Sequence, residues 1–160
     1  SGNYSDISGR VENLDDLSGV SAASPSAGDI LRYNGSSWVK ENPELISTIN
    51  PTTSNRAVSL DYNNAQSFVV NMQSSQLHTV SFANWPTTNP LRVLTATMIM
   101  KFPGTGGGAT TATVSWPNSV KWPGGTAPTI TNKAGAIDVF SFVSYDNGTS
   151  WLGFTGGQEF

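Results

Sequence analysis

The sequence lacks cysteine altogether and is poor in charge, and both absences restrict the classes of protein that it can encode. Without cysteine there is no disulfide framework and no thiolate metal site. Charged side chains make up only 12% of the 160 residues, about half the usual share for a globular protein. Ser, Thr, Asn and Gly supply the polar character instead, and these short neutral residues favour strands and turns over helices.

Long apolar runs and basic clusters are also missing. No apolar run reaches the ~18 residues of a membrane-spanning helix, so we expect no membrane insertion. Residues 51–160 carry four acidic and five basic side chains with no basic cluster. Because nucleic-acid binding is dominated by phosphate neutralisation, we expect no nucleic-acid partner. Neutral partners, such as sugars or protein surfaces, fit this composition better.

Residue types that carry catalysis or bind metals are scarce. His78 is the only histidine, and its place on the apolar face of a predicted strand indicates a core or interface residue. Glycoside hydrolysis needs two facing carboxylates roughly 5 to 9 Å apart. After residue 50 the chain offers only Asp61, Asp138, Asp146 and Glu159. We therefore expect no enzyme, no metal site and no cofactor.

The segment from Ala136 to Thr155 predicts the centre of the core. It reads AIDVFSFVSY, DNGTS and WLGFT, with Asn147-Gly148 as a strong hairpin signal between two apolar arms. Side chains alternate along the first arm, so Asp138, Phe140 and Phe142 share one face and Ile137, Val139 and Val143 the other. A strand that is apolar on both faces is typical of the middle of a sheet covered on both sides.

The remaining pattern predicts an all-β fold in two parts. Residues 51–160 contain seven or eight strands of period two separated by Gly, Pro and Asn turns, which favours an antiparallel β-sandwich, jelly-roll-like, as a head domain. Residues 1–50 form a connector with a small hairpin, in which Tyr33 and Trp38 flank Asn34-Gly35 as a cross-strand aromatic pair. The stretch ELISTIN, residues 44–50, reads as a linker or helical turn.

Three tryptophans that each precede a proline are the best candidates for a binding surface. A Trp-Pro pair holds an extended backbone and presents a flat apolar ring. Trp85 lies in the loop ANWPTTNP beside Asn84 and Thr87, whose neutral polar groups suit a sugar. Trp122 and Tyr145 flank other turns and are the second choices. The alternative is that these rings pack beneath the loops as core residues.

Two segments carry a resemblance to a known family. The segment LDDLSGVSAASPSAGDILRYNGSSWVKE, residues 14–41, resembles the connector of many bacteriophage tail fibre and virion proteins. The segment VSWPNSVKWPGGTAPTITNKAGAIDVFSFVSYDNGTSWLGFTGGQEF, residues 114–160, is similar to the C-terminal end of phage tail fibre and receptor-binding proteins.

This resemblance implies the C-terminal fragment of a virion fibre, usually homotrimeric, located on the virion and assembled in the host cytoplasm. Its expected partners are two further copies, upstream virion proteins and a host cell-surface glycan or protein. The weakly apolar segment 14–41, which cannot stabilise itself, also favours assembly with other copies. Two alternatives stay open: a monomeric carbohydrate-binding module of a bacterial surface protein, and a polysaccharide depolymerase tip with paired carboxylates in one groove.

Overall fold

In a computed structural model of the protein, the residues described are 19–21, 29–33, 36–41, 45–87, 93–104 and 110–160. The chain divides into two compact units, Ser1–Pro43 and Glu44–Phe160. Within the described residues, every regular element is a β-strand except one short 3₁₀ turn at Pro123–Gly125. The all-β prediction is confirmed.

The first unit holds a three-stranded sheet made of β1 (Val20–Ser21), β2 (Ile30–Tyr33) and β3 (Trp38–Glu41). Strands β2 and β3 form the predicted antiparallel hairpin. Tyr33 lies directly opposite Trp38, and their ring centroids are 5.5 Å apart, which confirms the predicted aromatic pair. The hairpin tip, Asn34-Gly35, lies outside the described residues.

The second unit contains nine strands within its described residues, and they form two sheets. In chain order they are β4 (Ile46–Ile49), β5 (Ala57–Asp61), β6 (Ser67–Asn71), β7 (Leu77–Ala83), β8 (Leu94–Lys101), β9 (Thr113–Ser115), β10 (Val120–Lys121), β11 (Ile137–Ser144) and β12 (Trp151–Gly157). The larger sheet has the order β10-β12-β11-β8-β6-β4, and the smaller has the order β5-β7-β9.

The chain crosses repeatedly from one sheet to the other. As a result several neighbouring strands are parallel, where the sequence predicted antiparallel pairing. From β4 to β9 successive strands alternate between the sheets, so the neighbours β4, β6 and β8 run parallel, as do β5, β7 and β9. Antiparallel pairing, as predicted, holds where β11 joins β8 and β12. A jelly roll would require antiparallel neighbours throughout. Period-two patterns are the same in both kinds of sheet, so the sequence does not distinguish them.

The two sheets face each other across one aromatic core, as a β-sandwich does. Phe82 of the smaller sheet stacks on Trp151 of the larger one, with ring centroids 4.2 Å apart and planes 9° from parallel. Phe82 also meets Phe142 edge-on at 5.3 Å. Aromatic pairs in such offset and edge-to-face arrangements stabilise a core beyond the area that they bury.

Strand β11 lies inside the six-stranded sheet, with the predicted face turned inward. Asp138, Phe140 and Phe142 are fully buried, which confirms their assignment to one face. The other face was predicted to be covered as well, but Ile137 and Val139 are only half-buried in this chain. The three-stranded sheet packs only on the inner side of β11, and within the described residues of the second unit no other sheet covers the outer side.

Strand β4 corrects the linker interpretation of residues 44–50. Ile46–Ile49 pairs in parallel with β6, and Ile49 packs against the core. The second compact unit accordingly begins at Glu44 and includes this strand, whereas the sequence placed the head domain at 51–160 and the connector at 1–50. A four-residue strand between two prolines has too little pattern to be recognised without its partner.

Candidate functional site

Three loops meet at one end of the sandwich, which we call the loop end: residues 61–66, 84–87 and 145–150. Asn84, just after β7, donates from Nδ2 to Oδ1 of Asp61 at the end of β5, at 2.9 Å. Gly148 lies against Trp85, since a Cβ on Gly148 would be 3.3 Å from the Cβ of Trp85. These contacts join the loops after β5, β7 and β11 into one surface.

The 145–150 loop is held by its own side chains. Ser144 Oγ donates to Oδ1 of Asp146 at 2.9 Å and accepts from the Gly148 N–H at 2.8 Å. Asn147 and Gly148 have φ of 55° and 78°, which confirms the left-handed pair that the Asn-Gly signal predicts. A loop fixed in this way loses little conformational entropy when it binds a partner.

Asp146 completes that loop. Its carboxylate accepts hydrogen bonds from both the hydroxyl and the backbone N–H of Ser150. The hydrogen bond from the Ser150 hydroxyl is the main cause that lowers the pKa of Asp146 below its ordinary value of 3.8. The ionised carboxylate therefore serves to organise the turn.

The exposed groups at the loop end are neutral and include one large ring. Tyr145 is 62% exposed. Asn84, with φ of 56°, and Thr87 are also exposed. An exposed aromatic ring, amide groups and hydroxyl groups are the surface chemistry that a sugar or a neutral protein surface can use.

Trp85, the first choice from the sequence, is a core residue in this structure. Only 6% of it is exposed, and its Nε1–H donates to the backbone oxygen of Leu60 at 2.7 Å. Its ring lies 5.0 Å from that of Tyr62 and 4.7 Å from that of Trp151. The alternative weighed from the sequence, a ring packed beneath its loop, describes this geometry. Trp85 supports the loop end from below.

Trp122 lies away from the loop end, on the inner side of the sandwich. Its half-buried ring meets Trp116 at 5.0 Å and Phe140 at 6.1 Å, edge-on in both cases. It also covers Gly153. The third Trp-Pro pair, at Trp116, is half-buried in the same cluster.

The five residues predicted for the site therefore separate into three groups. The structure brings Asn84, Thr87 and Tyr145 to the surface of the loop end. Trp85 lies beneath that surface, and Trp122 packs in another part of the same aromatic core, against Trp116 and Phe140.

Asp61, which the sequence offered only as a possible catalytic carboxylate, and Tyr62, which it did not single out for the site, also belong to the loop end. Asp61 accepts hydrogen bonds from Asn84 and from the Asn63 N–H, at 2.9 and 3.0 Å, and so couples two of the loops. The Tyr62 N–H bonds to Ala83 O at 3.0 Å. A signal was present, because the string Asp-Tyr-Asn-Asn directly after a strand is rich in turn formers. Nothing in the sequence indicated its proximity to Asn84.

Two other ionisable candidates, Asp138 and His78, lie in the interior. Asp138 is fully buried and accepts from the backbone N–H groups of Thr131 and Glu159, at 2.7 and 3.2 Å. His78 is also fully buried, with Nε2 3.1 Å from the Gln73 backbone nitrogen. Among the described residues, no three His, Cys, Asp or Glu side chains come together to hold a metal ion. The described part of the chain also has no helix long and apolar enough to cross a membrane.

Comparisons with known proteins identify no relative of this chain. No protein-family model matches it, and no curated protein or solved structure matches it at a significant level. The likeness of residues 14–41 and 114–160 to phage fibre segments therefore stays a prediction from the sequence.

Proposed function

We propose that this chain is the C-terminal part of a bacteriophage virion fibre, whose β-sandwich contacts the surface of a bacterial host. The two segments that resemble phage fibres, residues 14–41 and 114–160, support the family. In this proposal the protein is homotrimeric, belongs to the virion and acts in assembly and adsorption, with other virion proteins attached upstream.

The observation that carries the binding role is the composition of the loop end. Tyr145 offers a ring that is 62% exposed, and the exposed Asn84 and Thr87 add neutral hydrogen-bonding groups. The Asp146–Ser150 and Ser144–Gly148 hydrogen bonds hold the loop in place before contact. A rigid neutral surface of this kind favours a host glycan as receptor, with a host protein as the alternative.

The same loop end would also serve a carbohydrate-binding module of a bacterial surface protein, which is the second candidate. Such a module binds soluble glycan as a monomer, so the oligomeric state separates it from a fibre.

A depolymerase tip receives less support from the geometry. Hydrolysis needs two facing carboxylates that are free to act on the sugar. The carboxylate of Asp146 accepts hydrogen bonds from Ser150, and the carboxylate of Asp138 accepts them from the backbone N–H groups of Thr131 and Glu159. These hydrogen bonds favour binding over turnover.

The experiment measures binding of the purified full chain to intact cells of candidate host bacteria. Tyr145→Ala should weaken binding about tenfold or more, because an exposed aromatic ring in an interface is a frequent hot spot. Leu77→Ala is the matched control, since Leu77 is 49% exposed at the start of β7, the end of that strand farthest from the loop end. Unchanged binding of Tyr145→Ala, or an equal loss in Leu77→Ala, would remove the loop end from the receptor site.

A further inference from the structure

The two outer faces of the sandwich differ sharply in composition. The outward side chains of the three-stranded sheet are mostly small or polar, with Leu77 as the one large apolar residue: Ala57, Ser59, Asp61, Leu77, Thr79, Ser81, Ala83, Thr113 and Ser115. The outward side chains of the six-stranded sheet include a large apolar group, Val69, Ile99, Val139, Val143, Leu152 and Phe154, together with polar neighbours such as Thr95, Thr97 and Ser141. The first face is typical of contact with water, and the second is not.

Register places these apolar residues next to one another. Val69, Ile99 and Val139 are direct cross-strand neighbours on β6, β8 and β11. Val143 lies opposite Leu152 in the same way. Directly opposite residues share a face of the sheet, so these side chains form one continuous surface. We call it the apolar outer face.

Two phenylalanine rings stand exposed on this face. Phe154 is opposite the outward Ser141 on β11 and is 44% exposed. Phe160 exchanges two backbone hydrogen bonds of 3.2 Å with Ile137, which puts its side chain on the same face, and it is 70% exposed. Aromatic rings of this kind are the usual anchors of a protein interface.

Charge is confined to the margins of the face. Among the outward residues of the six described strands, only Lys101, at the end of β8, and Lys121, on the edge strand β10, are charged. Two identical faces of this composition therefore meet without like charges at their centre. A highly charged partner gains nothing from such a surface.

The size of the face also suits a protein partner. The sheet has six strands, of which β8 and β11 are eight residues long. At about 3.3 Å per residue and about 4.8 Å between strands, the outer side of the whole sheet spans at most about 25 Å by 25 Å, and the short strands β4, β6 and β10 narrow it. That places it at the lower end of the ~600–1,000 Å² that each partner buries in a standard interface.

We propose that the apolar outer face is the surface through which copies of this chain associate with one another. Burial of Phe154, Phe160 and the β-branched rows supplies the driving force, while the Ser/Thr face of the smaller sheet stays in water. This surface deepens the assembly part of the proposed function and is independent of its receptor-binding part.

The absence of native cysteine allows a direct test in the full chain. Phe154→Cys places one thiol on the apolar outer face, and Thr79→Cys places one on the Ser/Thr face. At micromolar concentration, modification of the thiol at position 154 by a maleimide should be about tenfold or more slower than modification of the thiol at position 79, because association buries it. Equally fast modification at the two positions would overturn the proposal.

A charge substitution provides an independent readout. Phe154→Glu places like charges opposite one another in the association, so light scattering should show a fall from a multiple of 16.9 kDa towards 16.9 kDa. Thr79→Glu should keep the mass of the wild type, and circular dichroism checks that both variants retain β-structure. If Phe154→Glu is folded and still associates like the wild type, another surface joins the copies, although assembly itself stands. A monomeric wild type overturns both the surface and the proposed trimer, and leaves host binding to its own test.

Discussion

Trp122 lies so close to Gly153 that a Cβ added to this glycine would be 2.7 Å from Cζ3 of the indole ring. Real Cβ atoms do not approach so closely, so only glycine allows the ring to lie flat over β12. Behind it Trp122 meets Phe140 and Phe142 edge-on. The pair seals one side of the aromatic core.

Gly153→Ala is therefore expected to displace Trp122 and to destabilise the protein by about 1–3 kcal/mol, the usual cost of overpacking a filled site. Urea denaturation measures the stability, and tryptophan fluorescence reports the displaced ring. Thr155→Ala, at an exposed position of the same strand, is the control and should change little. An unchanged midpoint for Gly153→Ala would mean that the ring does not occupy this place in solution.

Trp85→Ala is expected to act on folding. The ring is buried, so its loss should cost about 3–5 kcal/mol of stability. Trp85→Phe keeps an aromatic ring but leaves the Leu60 oxygen without its 2.7 Å partner, and should cost less. Thermal melting of both variants measures which of them is the less stable. If Trp85→Ala melts like the wild type and still loses binding to host cells, Trp85 is an exposed ligand platform after all.

Asp138→Ala is expected to loosen the C-terminal end of the sandwich. It removes the acceptor of the Thr131 and Glu159 N–H groups, whose hydrogen bonds are partly buried, and loss of each hydrogen bond to a charged group costs at most about 1.5–3 kcal/mol. Asp138→Asn keeps one acceptor oxygen and should lose only part of that stability. Amide hydrogen exchange should show faster exchange at Thr131 and Glu159 in Asp138→Ala. Unchanged exchange at both would refute this role.

Acid should weaken the 145–150 loop through Asp146. Because its folded pKa is lowered below 3.8, chiefly by the Ser150 hydroxyl, ionised Asp146 stabilises the fold at any pH above that value. The stabilisation is lost as the pH falls through the folded pKa. Asp146→Asn should lack this step in a plot of unfolding free energy against pH. Parallel plots for the two proteins would contradict the role of the carboxylate.

The sequence predicted the features that depend on near neighbours. Alternation along β11 assigns Phe140 and Phe142 to the inner face, and Asn147-Gly148 predicts the left-handed turn, since both follow from residues adjacent in the chain. Features that depend on distant residues were not predicted. The parallel partner of β4 is β6, and the carbonyl that fixes the Trp85 ring belongs to Leu60, 25 residues away.

In the candidate site, too, the sequence predicted what depends on neighbouring residues and not what depends on distant ones. Exposure of Tyr145 is consistent with its place beside a turn, whereas a Trp-Pro pair is equally compatible with a ring above or below its loop. The contact between Asn84 and Asp61 depends on the crossing of the chain between two sheets. A pattern of alternating residues contains no information about that crossing.

The mass of the purified full chain in solution tests the central claim most directly, because a homotrimeric fibre tip and a monomeric carbohydrate-binding module differ in it. Light scattering after size exclusion should give about three times the chain mass of 16.9 kDa. The value should hold on dilution through the micromolar range. A single species of 16.9 kDa at micromolar concentration would contradict the account and leave the carbohydrate-binding module as the better description.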